Sequence, residues 1–142
     1  MKSKRGIELS FGSVFSTILI ITFIAFGIYA ITKFIDLQKT IQVEKFLSDF
    51  QSDIDKIWKS SQGSQVVEYQ LPSNIISVCF KEDEFENLQF SSNKIIRGKM
   101  ILNIDIEKTL GAEDFMCVQN IEGKIQMTLV KNFGEVLVTI KE

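Results

Sequence analysis

The chain of 142 residues contains no histidine, which removes the usual general base and the commonest transition-metal ligand in one stroke. Its two cysteines, Cys79 and Cys117, lie too far apart for a Cys-x-x-Cys redox or zinc motif. There is no glycine-rich phosphate loop, no Gly-x-Ser-x-Gly and no Asn-x-Ser/Thr acceptor. These absences leave no catalytic, cofactor-binding or metal-binding set, so the expectation is a protein that is not an enzyme and holds no cofactor. The acidic run Glu82-Asp83-Glu84-Phe85-Glu86 lacks the alternating Asp/Asn and Gly spacing of a calcium loop and reads as a solvated turn. Asp105, Glu107, Glu113 and Asp114, around a turn at 108–112, read as solvent-facing. Proline is nearly absent too: Pro72 is the single one, so nothing forces a break in a helix begun earlier.

Charge is what is missing from Leu9 to Thr32, LSFGSVFSTILIITFIAFGIYAIT, a run bounded by Glu8 and Lys33. Thirteen of its residues are Leu, Ile, Val or Phe. At about −0.3 to −0.6 kcal/mol each on the insertion scale they favour the bilayer by roughly 4 to 8 kcal/mol. A helix of that length, rising ~1.5 Å per residue, exceeds the ~30 Å hydrocarbon core. The run is longer than the ~7–15 residues of a signal-peptide core, and no Ala-x-Ala pattern follows it, so a retained anchor is expected. Residues 1–33 carry Lys2, Lys4, Arg5 and Lys33 against Glu8, net +3; with a whole-chain charge of −2, the remainder is −5. Basic residues ahead of the span keep the N-terminus in the cytoplasm and send the rest across. The acidic exported part excludes nucleic acid as a partner.

Lys4-Arg5-Gly6 followed by Ile7 and the apolar run resembles the class III leader of type IV pilins and their archaeal relatives. The resemblance implies cleavage after Gly6, a mature N-terminus at Ile7, and assembly with copies of itself or other pilin-like subunits through the apolar helix. It departs from the bacterial pattern at the fifth mature position, which here is Phe11 in place of Glu; Glu8 stands at the second. The small residues Gly12 and Ser16, and Gly27 with Ala30, offer two weak patches for close helix approach.

Beyond Lys33 the apolar pattern narrows to a stripe. Val43, Leu47, Phe50, Ile54 and Ile57 recur at helical spacing, with Phe46 and Trp58 widening it, and Lys45/Asp49 and Asp55/Lys59 stand as charge pairs on the other face. One helix is therefore expected from Ile7 to Ser60, roughly 80 Å if straight, closed by Gly63 as a left-handed cap. From Ser64 the period changes to 2. Strands are predicted at Gln65 to Leu71, Ile75 to Lys81, Ile95 to Ile106 (bent at Gly98), Phe115 to Asn120, Lys124 to Lys131 and Glu135 to Lys141. The turn chemistry at 120–123 and 132–134 predicts an antiparallel meander of the last three.

The expected fold is α+β: a long N-terminal helix, whose outer half packs through the stripe on an antiparallel sheet of five to six strands. The boundaries are a basic leader at 1–6, a transmembrane helix at 7–33, an amphipathic helix at 34–61 and an extracytoplasmic β domain at 62–142. That layout also has the lollipop outline of pilins. Two functional classes stay open, a pilin-like or pseudopilin-like structural subunit and a stationary anchored ectodomain that binds a protein partner or surface polymer. Cys79 and Cys117 sit in apolar strand sequence, as two buried thiols or as a disulfide, and export to an oxidising compartment favours the bridge.

Overall fold

The computed structural model describes residues 11–93 and 95–142. The leader, with Lys4, Arg5, Gly6, Ile7 and Glu8, lies outside the described residues. Helix α1, Phe11–Lys59, is continuous over 49 residues. After it come β1 (Gly63–Gln70), β2 (Ile75–Lys81), β3 (Leu88–Ser92), α2 (Ile106–Leu110), β4 (Phe115–Gln119), β5 (Lys124–Lys131) and β6 (Thr139–Lys141). The chain forms two compact units, one ending at Gln38 and the other Lys39–Glu142.

The fold class is α+β, one long helix packed on antiparallel strands, with six strands divided between two sheets of three. One sheet has the order β1-β5-β6 and the other β3-β2-β4. The predicted meander of the last three strands does not form. β4 pairs with β2, while β5 pairs with β1 and β6. The reversal at Glu122-Gly123, both with positive φ, falls within the turn predicted at 120–123. It hands the chain from one sheet to the other instead of continuing one.

Within Lys39–Glu142 the helix stripe packs as its spacing predicts. Val43, Leu47, Phe50, Ile54 and Ile57 are all buried, as is Phe46. Trp58 is 38% exposed and does not join them. The Phe50 ring lies 5.9 Å from Tyr69 of β1 and 5.9 Å from Phe80 of β2, so it touches both sheets, and Phe46 stacks on it at 5.6 Å. Strand residues facing these rings alternate as period 2 requires, with Ile125, Met127 and Leu129 of β5 and Val78 and Phe80 of β2 essentially inaccessible.

Two ends of this unit follow from the contacts. Phe46 packs on Phe90 and, one turn later, Phe50 packs on Phe80, which pairs with Leu88. β3 therefore runs toward the end at which α1 arrives, called the near end below. At the far end α1 stops at Lys59, and the cap is not Gly63, whose φ is not positive. Instead Lys131 Nζ donates to the carbonyls of Trp58 at 2.5 Å and Ser60 at 2.8 Å, while Ser60 Oγ donates to Ile57 O. A buried ammonium at a helix C-terminus meets unsatisfied carbonyls and the negative end of the dipole.

The segment 95–105 is not the predicted strand, although two isolated bridges, Leu88 with Lys99 and Ile104 with Val138, tie it to its neighbours. Side-chain amides take the place of a ladder. Asn87 Oδ1 accepts from Ile101 N at 2.7 Å and its Nδ2 donates to Ile101 O at 2.8 Å; Gln51 brackets Leu102 in the same way from α1. Asn103, at φ 66°, then turns the chain and donates to Asp55. Gly98 is required where the lane crosses β3, since a Cβ there would lie 2.3 Å from Leu88 O. Asp55 is thus taken by Gln51 and Asn103, while Lys56 pairs with Asp53.

Candidate functional site: an uncovered apolar helix and its bridged domain

The two parts of α1 treat apolar side chains oppositely. From Phe11 to Gln38 no residue is buried, and Phe15, Ile20, Phe23, Ile24, Phe26 and Ile31 are each more than half exposed. Successive residues are ~100° apart on a helix, so Ile18-Leu19-Ile20-Ile21 alone place an apolar side chain on every side of it. A helix apolar all round belongs in a core or a membrane, and no core covers this one. It is long and apolar enough to cross a bilayer.

The polar atoms within it are arranged for such a medium. Thr17 and Thr22 hydroxyls donate to the carbonyls of Ser13 and Ile18, and Thr32 to Tyr29, at 2.8–2.9 Å. No water is needed to satisfy those donors. Gly12 and Ser16 are exposed on one face, and at Gly27 an added Cβ would meet nothing within 4 Å. At the C-terminal margin of the run the Lys33 ammonium lies 5.7 Å from the centre of the Tyr29 ring, the position of a basic side chain that shelters its stem along an aromatic while keeping its charge at the surface.

In the second unit Cys79 and Cys117 form a disulfide. They stand directly opposite in the β2–β4 pair, half-buried on the face turned away from Val78 and Phe80. The bridge joins residues 38 apart in sequence, and closing such a loop stabilises by roughly 4 kcal/mol on the chain-entropy estimate.

Within the acidic run, Asp83 closes the turn. Asp83 Oδ1 accepts from the amides of Phe85 and Glu86, and Lys81 pairs with the other oxygen at 2.9 Å, which together hold this carboxyl below its ordinary range. Asp105 caps α2 by accepting from Lys108 N. No group of three or more Cys, Asp or Glu that could hold a metal ion occurs among the described residues. Burial, then the hydrogen bond to Asp53, push the Tyr69 phenol well above its usual range, which keeps it a neutral donor at 2.8 Å. Open grooves occur among the described residues. One of about 730 Å³ runs past Val66, Glu68 and Gln126, and one of about 420 Å³ past Ser48, Gln51, Lys56 and Lys99.

Among known proteins no family matches this chain, and neither a curated protein nor a solved structure is similar to it at a significant level.

Proposed function

We propose that the chain is a single-pass, membrane-anchored structural subunit of pilin-like kind, with a cytoplasmic N-terminus and the β domain on the far side of the membrane. It assembles with copies of itself or with other pilin-like subunits through the apolar helix. One observation carries this reading: a single helix buries every apolar residue of its 43–57 stripe in its own domain and leaves all those of 11–37 uncovered. The β domain therefore has no need of the first part of the helix. Lipid alone satisfies that surface, and so does lipid shared with like helices. The disulfide fits an exported domain.

The fate of the leader tests it. Intact mass measurement of the chain taken from its own membrane is expected to give an N-terminus at Ile7, cleavage having occurred after Gly6. An unprocessed Met1 would instead make it a stationary anchored ectodomain whose sheets bind a protein partner or surface polymer.

A further inference from the structure

Lys131 holds the last residue of β5 at the far end, so β5 begins at the near end, where the chain enters it from β4 through the turn 121–124. There Ile121 N donates to Lys124 O at 2.8 Å and Lys124 N to Ile121 O at 3.0 Å. Residues of an antiparallel strand turn their N–H and C=O groups alternately to one edge and the other. In β5, Lys124 is bonded to Ile121 on the edge away from β1, so Gln126 and Thr128 face that edge too. β6 covers it from Thr128 to Val130, which leaves Gln126 open. In β4, Asn120 N donates to Ile76 O at 2.8 Å, so Val118 faces β2, while Cys117 and Gln119 face away from it, on the edge of Ile121. Gln119 and Gln126 would form the next pair of this ladder, but β4 has left for the other sheet, and among the described residues neither main chain has a hydrogen-bond partner.

The groove of about 730 Å³ has both Gln119 and Gln126 in its lining, with the buried Val118 and Met127. Two open strand edges thus look into one cleft, and each offers N–H and C=O groups at the spacing of an extended backbone. Lys124, the single cation among the described lining residues, is paired with Glu68 at 2.9 Å. Glu122 and Glu142 remain in that lining as exposed carboxylates, with no cation against them among the described residues. We propose that the groove takes an extended, basic peptide segment of a partner protein as an added strand. Its backbone pairs with Gln119 and Cys117 of β4 on one side and with Gln126 of β5 on the other, and its Lys or Arg side chains meet Glu122 and Glu142. Main-chain bonds supply the affinity, and the two carboxylates select the charge. A second copy of this chain is the poorer occupant, because the acidic part beyond residue 33 that it would present is repelled by the same carboxylates. This site is independent of the apolar helix and of what that helix assembles with.

The test uses the full chain in detergent micelles as bait for a phage library of random linear peptides, the selected sequences then being synthesised. The proposal expects selection of Lys- and Arg-rich sequences, and slowed amide exchange at Gln119 and Gln126 when one of them binds. Gln119→Pro removes the open N–H without touching the ladder to β2, so its thermal midpoint should match that of the unaltered chain while peptide binding is lost. Glu122→Gln together with Glu142→Gln should weaken binding several-fold, and added salt should shrink that difference. Failure to enrich any sequence, enrichment without basic residues, or binding that survives Gln119→Pro would overturn the proposal. Should Gln119→Pro unsettle its strand, the exchange reading decides: peptide binding that leaves Gln119 and Gln126 exchanging as before would overturn it. Slowed exchange at both with no peptide added, lost on dilution, would show a second copy in the groove and overturn the choice of partner.

Discussion

Phe50→Ala measures whether the helix stripe belongs to its own domain. Phe50 is inaccessible to solvent, and its ring touches Phe46, Tyr69 and Phe80 at 5.6–5.9 Å, so it joins α1 to both sheets at once. Truncation of a buried Phe typically costs about 3–5 kcal/mol in lost transfer energy and residual cavity. Against the about 5–15 kcal/mol available to a domain, that is a large fraction. At ~4 °C per kcal/mol for a domain near this size, the midpoint of thermal unfolding should fall by on the order of 12–20 °C. The assay is urea and thermal unfolding of the fragment from residue 34 onward, followed by circular dichroism, with Ser48→Ala on the exposed side of α1 as a control expected to change little. The fragment should sediment as a monomer before and after. An oligomer that Phe50→Ala converts to folded monomers with less than about 1 kcal/mol of lost stability would refute the reasoning, because the stripe would then be a seam between subunits.

The other expectations are smaller in scope. Ile24→Asp places an acid in the middle of the uncovered run at about +2.5 to +3.5 kcal/mol on the insertion scale, and membrane fractionation should show a clear loss of the anchored form; unchanged fractionation would place the anchor elsewhere. Asn87→Ala removes both bonds that hold Ile101, and with a buried amide and carbonyl left unpaired it should cost about 2–4 kcal/mol in urea unfolding. Amide exchange should rise at Ile101 first, and unchanged protection there would show that the lane is held by its apolar side chains instead. Glu135 accepts from the amide of Asn132 and from Lys108, which lower its carboxyl to about 2 from 4.5. A lowered pKa means that the folded form favours the charged carboxylate, so its support is full above about 4.5 and is lost as pH falls toward 2. The titration of Glu135 side-chain carbon shifts checks this, with a midpoint near 4.5 as the contrary result.

Periodicity was enough to read the helix stripe and most strands, because both elements bury one regular face. Phe46 to Ile57 announced its burial at spacings of three and four, and Ile125 to Leu129 at spacings of two. Connectivity between sheets was not legible. A hairpin turn such as Glu122-Gly123 records that the chain reverses, not which strand lies beside it afterwards. The segment 95–105 alternates like a strand, with Ile101 and Ile104 buried, but its backbone partners are the side-chain amides of Asn87 and Gln51, which no local pattern signals. β3 carries little local signal for the converse reason: Leu88-Gln89-Phe90 alternates correctly but is short and lacks β-branched residues. The helix cap is not legible locally because the group that closes α1, Lys131, lies 73 residues from Trp58 in sequence. The disulfide pairing was the only intramolecular choice with two cysteines, and the register of β2 and β4 supplies its physical basis by setting them directly opposite. Of the candidate functional surface, the uncharged run was plain from composition. That its side chains remain uncovered required the fold, since the same composition would also make a buried core helix.

Site-specific photo-crosslinking within the membrane tests the assembly surface most directly. A photoreactive side chain at Ile24, carried by the full chain in its own membrane, should join the helix to the same helix of another copy or of a similar subunit, giving a ladder of covalent products. Crosslinks to lipid alone, with the protein monomeric at every exposure, would contradict assembly through the apolar helix.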